Sequence, residues 1–128
     1  MARQIFKSAA FFLQRESDKI GMPHQRIFDR RDSGDWIRGT GIVCRLLSDD
    51  HEESRHQRFV LDMRNGQTLV IAHNIDLAKR IPLGMGDKIS FSGMYEWNDL
   101  GGLVHWTHND PMGTAEGGYV EFRGAHYK

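Results

Sequence analysis

The sequence predicts a mainly β protein, a small barrel formed by residues 35–128 after an N-terminal segment, 1–34. Short apolar runs separated by turn residues begin at Asp35, a pattern typical of barrels and sandwiches. The dipeptide Asn65-Gly66 lies between two of these runs, as in a tight hairpin. A short helical pattern follows the third run. At 128 residues the chain has the length of one domain with one core.

Five strands are predicted, in the order three strands, a short helix and two strands. They cover Trp36–Leu47, Gln57–Arg64, Gln67–Asn74, Lys88–Trp97 and Gly102–His108. The helix begins at Asn74, a good N-cap, and ends before Pro82. This order is that of an oligonucleotide/oligosaccharide-binding (OB) fold, a five-stranded Greek-key barrel. The tail from Gly117 is expected to cover the barrel as an added strand or loop.

The first hairpin register follows from its turn. A two-residue turn at Asn65-Gly66 places Arg64 opposite Gln67 and Arg58 opposite His73. A four-residue loop in the second hairpin, Asn98–Gly101, places His105 opposite Met94 and diagonal to Glu96.

The N-terminal segment is predicted to contain an amphipathic helix over about Arg3–Asp18, ended by Gly21 and Pro23. Its apolar run is short and interrupted by Lys7, and no good cleavage site follows, which argues against a signal peptide and favours the cytoplasm. No apolar run approaches the length of a membrane span.

Charge is unevenly distributed although the net charge is zero. Residues 1–31 contain seven Lys or Arg against three Asp or Glu, whereas residues 32–128 contain ten against fourteen. A barrel without a basic surplus is a poor candidate for tight phosphate-backbone binding. The basic N-terminal segment is either a solvated helix face or an electrostatic arm.

The first hairpin register predicts a patch of His56, Arg58 and His73 on one strand face. Two histidines suit proton transfer near neutral pH, and an arginine can hold an anion. The patch would suit phosphodiester hydrolysis. A contact between His105 and Glu96 is either an oriented acid/base pair or an ordinary surface ion pair. The alternative is a polar barrel face with histidines hydrogen-bonded across strands.

Metal binding is a further hypothesis, with His108 and Asp110 as ligands of a divalent ion such as zinc. His105 and His108 lie three residues apart and point to opposite faces of a regular strand, so they do not form a chelate there.

Most aromatic residues occupy alternate strand positions, as core packing requires. Trp97 is the best exception because it lies next to a loop, where it could stack on a base or sugar. Arg55, Gln57, Asn74 and Trp97 are the candidate binding residues.

Several blocks in the barrel segment resemble an uncharacterised bacterial family, a domain of unknown function. They are Ser54–Phe59 (SRHQRF), Ala72–Ala78 (AHNIDLA), Tyr95–Asn98 (YEWN) and His105–Pro111 (HWTHNDP), within a resemblance that covers about residues 33–128. The resemblance implies no activity. Members of that family often begin with a secretion signal, which this N-terminal segment does not match.

Two functions remain open from the sequence. The first is a small hydrolase of the nuclease or phosphodiesterase type that uses His56, His73, His105 and Arg58. The alternative is a non-catalytic binding module for single-stranded nucleic acid, a glycan or a protein. A scaffold held by a structural metal is a third possibility.

Overall fold

The computed structural model describes residues 25–128, so the predicted helix over Arg3–Asp18 lies outside the described residues. The described part contains seven strands and one 3₁₀ turn. They are η1 (Arg30–Asp32), β1 (Trp36–Leu46), β2 (His56–Asp62), β3 (Thr68–Asn74), β4 (Lys88–Glu96), β5 (Leu103–His105), β6 (Tyr119–Phe122) and β7 (Ala125–Tyr127).

The first five strands form a closed barrel, which confirms the mainly β prediction. They pair in the order β1-β2-β3-β5-β4, and β4 pairs back with β1. All of these pairs are antiparallel except β3 with β5, which is parallel. Closure leaves the barrel itself without a free edge. The predicted tail strand is present as the β6–β7 hairpin, which adds to β4 beyond the end of β5.

The barrel interior is filled by alternate residues of the five strands, as a two-residue period requires. The largest fully buried side chains include Phe59, Leu61, Ile71, Phe91 and Tyr95. Gly39 lies inside this core, where an added Cβ would come within 2.8 Å of Met63 Cε and 2.9 Å of Phe91 Cζ. The absence of a side chain there lets the barrel close tightly.

The predicted helix between β3 and β4 is wrong, because the structure has only a turn after Asn74. The turn starts as a helix would, since the Ala78 amide donates to the Asn74 carbonyl at 3.0 Å. It cannot continue, because the next residues are drawn into the barrel end. The buried amide of Gln57 bonds to both the N–H and the carbonyl of Ile81, each at 2.8 Å.

The predicted register of the first hairpin is also wrong, by one residue. His73 pairs with Gln57 and Arg58 pairs with Ala72. The turn contains three residues rather than two, since the Met63 amide bonds to the Gln67 carbonyl across Arg64, Asn65 and Gly66. Side chains alternate along a strand, so a shift of one residue moves the whole of β3 to the other face relative to β2.

The second hairpin has the predicted register. Met94 pairs with His105, and Glu96 pairs with Leu103. The strand is shorter than predicted, however, because β5 ends at His105. Trp106 adopts a left-handed backbone conformation with φ 61°, which breaks the alternation that would have directed its side chain into the core.

Residues 25–34 close the end of the barrel that carries the β2–β3 turn. Phe28 is buried there, with its ring 5.7 Å from that of Tyr95. The side chain of Gln67 accepts from the Phe28 amide at 2.9 Å and donates to the Phe28 carbonyl at 3.0 Å. We call residues 25–28 the strap.

Candidate functional site

The predicted patch of His56, Arg58 and His73 does not form. His56 and Arg58 lie on the outer face of β2, whereas His73 is completely buried and points into the barrel end. This division follows directly from the one-residue register difference in the first hairpin. The outer pair is tied to the loop before β2, because His56 Nδ1 lies 3.0 Å from the Ser54 carbonyl and Arg58 Nε donates to the Ser48 carbonyl at 3.0 Å.

His73 instead joins three elements of the barrel end. Its Nε2 lies 3.0 Å from the Lys79 carbonyl, and its Nδ1 lies 2.8 Å from the Thr107 hydroxyl. A carbonyl only accepts, so we assign the proton of the neutral ring to Nε2. Nδ1 then accepts a hydrogen bond from Thr107. The imidazole thus ties β3 to the loop before β4 and to the segment after β5.

The pKa of His73 is lowered to about 4, chiefly because the ring is buried and in smaller part because His108 and His56 are nearby. A hydroxyl bonded to an imidazole is the arrangement of a nucleophile and its base. Here both groups are completely buried, and such a low pKa makes the imidazole a weak base at neutral pH. The Thr107–His73 pair therefore suits a structural role, and its importance was not evident in a sequence that offered no partner for Thr107.

His105 and Glu96 come together as the second hairpin register predicted. His105 Nε2 lies 3.1 Å from Glu96 Oε1, and the His105 side chain is 30 % exposed. The two atoms are close without being aligned for a hydrogen bond. The pair lies on the outer barrel face, whereas the ring of His73 is buried in the barrel end. The five candidate catalytic residues therefore do not share one cleft.

The two candidate metal ligands are engaged in local structure. Asp110 accepts hydrogen bonds from the amides of Met112, Thr114 and Ala115 and from the Thr114 hydroxyl. These bonds hold the pKa of its carboxyl below the usual value. His108 is buried, with Nδ1 2.7 Å from the Asn109 carbonyl. Within residues 25–128, no three His, Cys, Asp or Glu side chains are grouped to hold a metal ion.

The candidate binding residues divide into two kinds. Gln57 and Asn74 are buried. Gln57 donates a hydrogen bond to the Ile81 carbonyl, and Asn74 caps the turn after β3 by accepting from the Asp76 amide. Arg55 and Trp97 are exposed, but each has a partner. Arg55 Nε lies 3.2 Å from Asp76 Oδ1, and the guanidinium of Arg30 lies 4.3 Å from the centre of the Trp97 ring.

Sequence reasoning missed an apolar surface on the outside of the barrel. Val60 pairs with Val70, and Val70 pairs with Leu103, so these aliphatic residues lie side by side on the outer face of β2, β3 and β5. Met94, on the outer face of β4, lies diagonal to Leu103 and pairs with Trp36 on β1. All five are half-buried or exposed. We call this surface the belt.

Most of the aromatic residues expected in the core are there, as Phe59, Phe91 and Tyr95 show, but two tryptophans lie on the surface instead. Trp36 is 38 % exposed and Trp106 is 40 % exposed. The Trp36 indole is fixed on the surface, because its Nε1 donates to Ser92 Oγ at 2.8 Å. Alternation alone could not assign these faces, since either face of β1 offers apolar residues.

Comparison with known proteins gives a family without an activity. A family described as a protein of unknown function (DUF3465) matches residues 9–128. No curated protein matches the chain. The described residues also contain no helix that is long and apolar enough to cross a membrane.

Proposed function

Since the chain belongs to the DUF3465 family, which supplies no activity, we propose from its surface that it is a non-catalytic binding module. The observation that carries this proposal is the belt of Val60, Val70, Leu103, Met94 and Trp36. Contiguous apolar surface on a soluble domain marks an interaction site. The strand order, with β3 parallel to β5, supports assignment of the barrel to the OB type, whose ligands lie across the strands.

Among the three ligand classes, the belt favours a segment of a partner protein. Its members are mainly aliphatic, with one methionine and one tryptophan, and methionine and aromatic residues are enriched at protein interfaces. Single-stranded nucleic acid is usually bound by aromatic platforms beside a basic groove. Arg45 pairs with Val60 at one edge of the belt, but residues 32–128 as a whole carry an acidic surplus.

Val70→Asn tests this proposal. We expect the wild-type protein to bind apolar peptides from an array and the variant to lose about tenfold in affinity, because a polar amide would be buried against the ligand without a partner. Ile42→Asn is the matched control, since Ile42 is also half-buried on the outer face but lies on β1 beside Asp62. Isothermal titration calorimetry would measure both.

Two results would contradict the protein ligand. One is equal loss of affinity in the two variants. The other is binding of a single-stranded oligonucleotide with a steep salt dependence, which would indicate phosphate contacts. Tight binding of a neutral oligosaccharide, insensitive to salt and lost in Trp36→Ala, would indicate a glycan instead.

A small hydrolase is a second candidate, favoured by the contact of 3.1 Å between His105 and Glu96. A half-exposed imidazole beside a carboxylate can act as a general base. His56 and Arg58, on the outer face of β2, would bind or stabilise an anionic substrate. The buried His73 would not contact the substrate and would contribute only by holding the barrel end together.

His105→Ala tests the hydrolase. If the candidate is correct, the variant should lose at least about a hundredfold of any phosphodiesterase activity, measured with and without zinc or magnesium. His126→Ala is the control, because His126 Nε2 lies 2.8 Å from Glu121 Oε2 in a similar exposed pair outside the barrel. No cleavage by the wild type, or equal losses in both variants, would exclude the hydrolase.

A further inference from the structure

The turn between β2 and β3 contains the one Asn-Gly dipeptide of the sequence, Asn65-Gly66. Asparagine before glycine is the pair most open to deamidation, because glycine has no Cβ to keep its backbone nitrogen away from the preceding side chain. That nitrogen bonds to the side-chain amide carbon, the carbon–nitrogen bond of the amide breaks, and ammonia leaves a succinimide ring. Water then opens the ring to aspartate or isoaspartate. The dipeptide is therefore a candidate modification site as well as a turn.

The structure leaves the attacking nitrogen accessible. Gly66 is exposed, and no atom beyond its chain neighbours lies within 4 Å of the position that its Cβ would occupy. Within residues 25–128 the Gly66 N–H also has no hydrogen-bond acceptor. The nitrogen must lose its proton to attack, and in this part of the chain that loss breaks no hydrogen bond.

The amide that would be attacked is folded towards that nitrogen. Asn65 Oδ1 accepts from the Gln67 amide at 2.9 Å, which holds the side chain over the Gly66 peptide between them. Asn65 Nδ2 donates to the carbonyls of Gln25 at 3.2 Å and Arg26 at 3.3 Å, distances at the long end of the range for hydrogen bonds. The leaving nitrogen is thus held less tightly than the oxygen, and its two bonds attach the strap to the turn.

We propose that Asn65 deamidates spontaneously and that its product loosens the strap. A carboxylate only accepts hydrogen bonds, so the product cannot donate to the Gln25 and Arg26 carbonyls and places a negative charge beside them. Isoaspartate, in addition, lengthens the main chain of the turn by one methylene. The strap then keeps only the bonds that Gln25 and Gln67 make, so it should open more often in aged protein than in fresh protein.

Ageing the full chain at alkaline pH, followed by peptide mapping with mass spectrometry, tests the modification. Asn98 and Asn109 are internal controls, because each is followed by aspartate rather than glycine. Asn65 should convert about tenfold faster than either, since the aspartate side chains hinder attack. Conversion should also accelerate as the pH rises, because the attacking nitrogen must lose its proton. Equal rates at the three asparagines would overturn the proposal.

Asn65→Asp tests the effect on the strap, and Asn98→Asp is its matched control. Asn98 Oδ1 accepts from the amides of Leu100 and Gly102 at 2.9 and 3.0 Å, a role that a carboxylate can also fill. Hydrogen exchange at the Phe28 amide should be about tenfold faster in Asn65→Asp and unchanged in Asn98→Asp. Unchanged exchange in β3 would show that both variants fold. Exchange at Phe28 as slow in Asn65→Asp as in the wild type would contradict the loosening of the strap.

Discussion

His73 is a titratable side chain held neutral in the barrel end. Its ring donates to the Lys79 carbonyl and accepts from the completely buried Thr107 hydroxyl, so one imidazole pairs with a backbone group and a hydroxyl. Buried polar groups are costly without such partners. The neutral form fits this site, and the charged form does not.

The buried His73 should make stability depend on pH. Its pKa falls from the usual 6.5 to about 4 in the fold, so the unfolded chain takes up a proton at a pH where the folded protein does not. The stability that the protein gains from keeping His73 neutral is fully present above pH 6.5 and is lost as the pH falls towards 4. We expect about 3 kcal/mol of the free energy of unfolding to disappear over that range, measured by urea unfolding.

His73→Gln is the control for this titration. A glutamine can also donate to a carbonyl and accept from a hydroxyl, but it does not ionise. The variant should be less stable than the wild type at pH 7, and the difference should shrink towards pH 4. A difference that stays constant across this range would show that His73 does not carry the effect.

At the scale of elements, side-chain amides hold residues 25–28 against the barrel by hydrogen bonds to the backbone. Gln25 donates to the carbonyls of Thr40 and Met63 and accepts from the Thr40 amide. Asn65 donates to the carbonyls of Gln25 and Arg26. With Gln67, these amides pair with the backbone as a neighbouring strand would, and they attach the strap to the barrel without extending a sheet.

Gln67→Leu should detach the strap. The substitution leaves the buried N–H and carbonyl of Phe28 without Gln67, whereas the Gly101 carbonyl keeps the Tyr95 hydroxyl as a donor. We expect a loss of about 2–4 kcal/mol in the free energy of unfolding. Hydrogen exchange at the Phe28 amide should accelerate more than exchange in β3.

Thr68→Val is the comparison for Gln67→Leu, because Thr68 is the exposed next residue and makes only a long hydrogen bond of 3.5 Å to the Leu100 carbonyl. It should leave both measurements nearly unchanged. Uniformly faster exchange throughout the Gln67 variant would mean that the strap and the barrel unfold as one unit.

The first hairpin shows why the candidate site was harder to predict than the strands. The apolar runs placed β2 and β3 within one or two residues, because burial of alternate residues determines where a strand runs. The predicted patch of His56, Arg58 and His73, in contrast, depended on the number of residues in the turn between β2 and β3. Arg64 has φ 63° and its amide donates to Asp62 Oδ1 at 2.8 Å, which favours the three-residue turn. That local bond reversed the face on which His73 lies.

At the scale of the whole molecule, the strand order was predictable and the surfaces were not. A repeated pattern of short strands is typical of barrels and sandwiches, and the order of the predicted elements favoured the barrel. Which apolar residues remain outside depends on neighbours across strands. Val60, Val70 and Leu103 come from three separate strands, so no single stretch of sequence displays the belt.

Closure of the barrel by β1 and β4 also matters while the chain is being made. Trp36 pairs with Met94, so β1 cannot pair with β4 until more than half of the polypeptide that follows β1 has left the ribosome. Before then, a three-stranded meander of β1, β2 and β3 has open hydrogen-bonding edges along β1 and β3. Such edges are prone to pair with other chains. The nascent protein is therefore most exposed to aggregation just before β4 emerges, and folding should be limited by this late, long-range pairing.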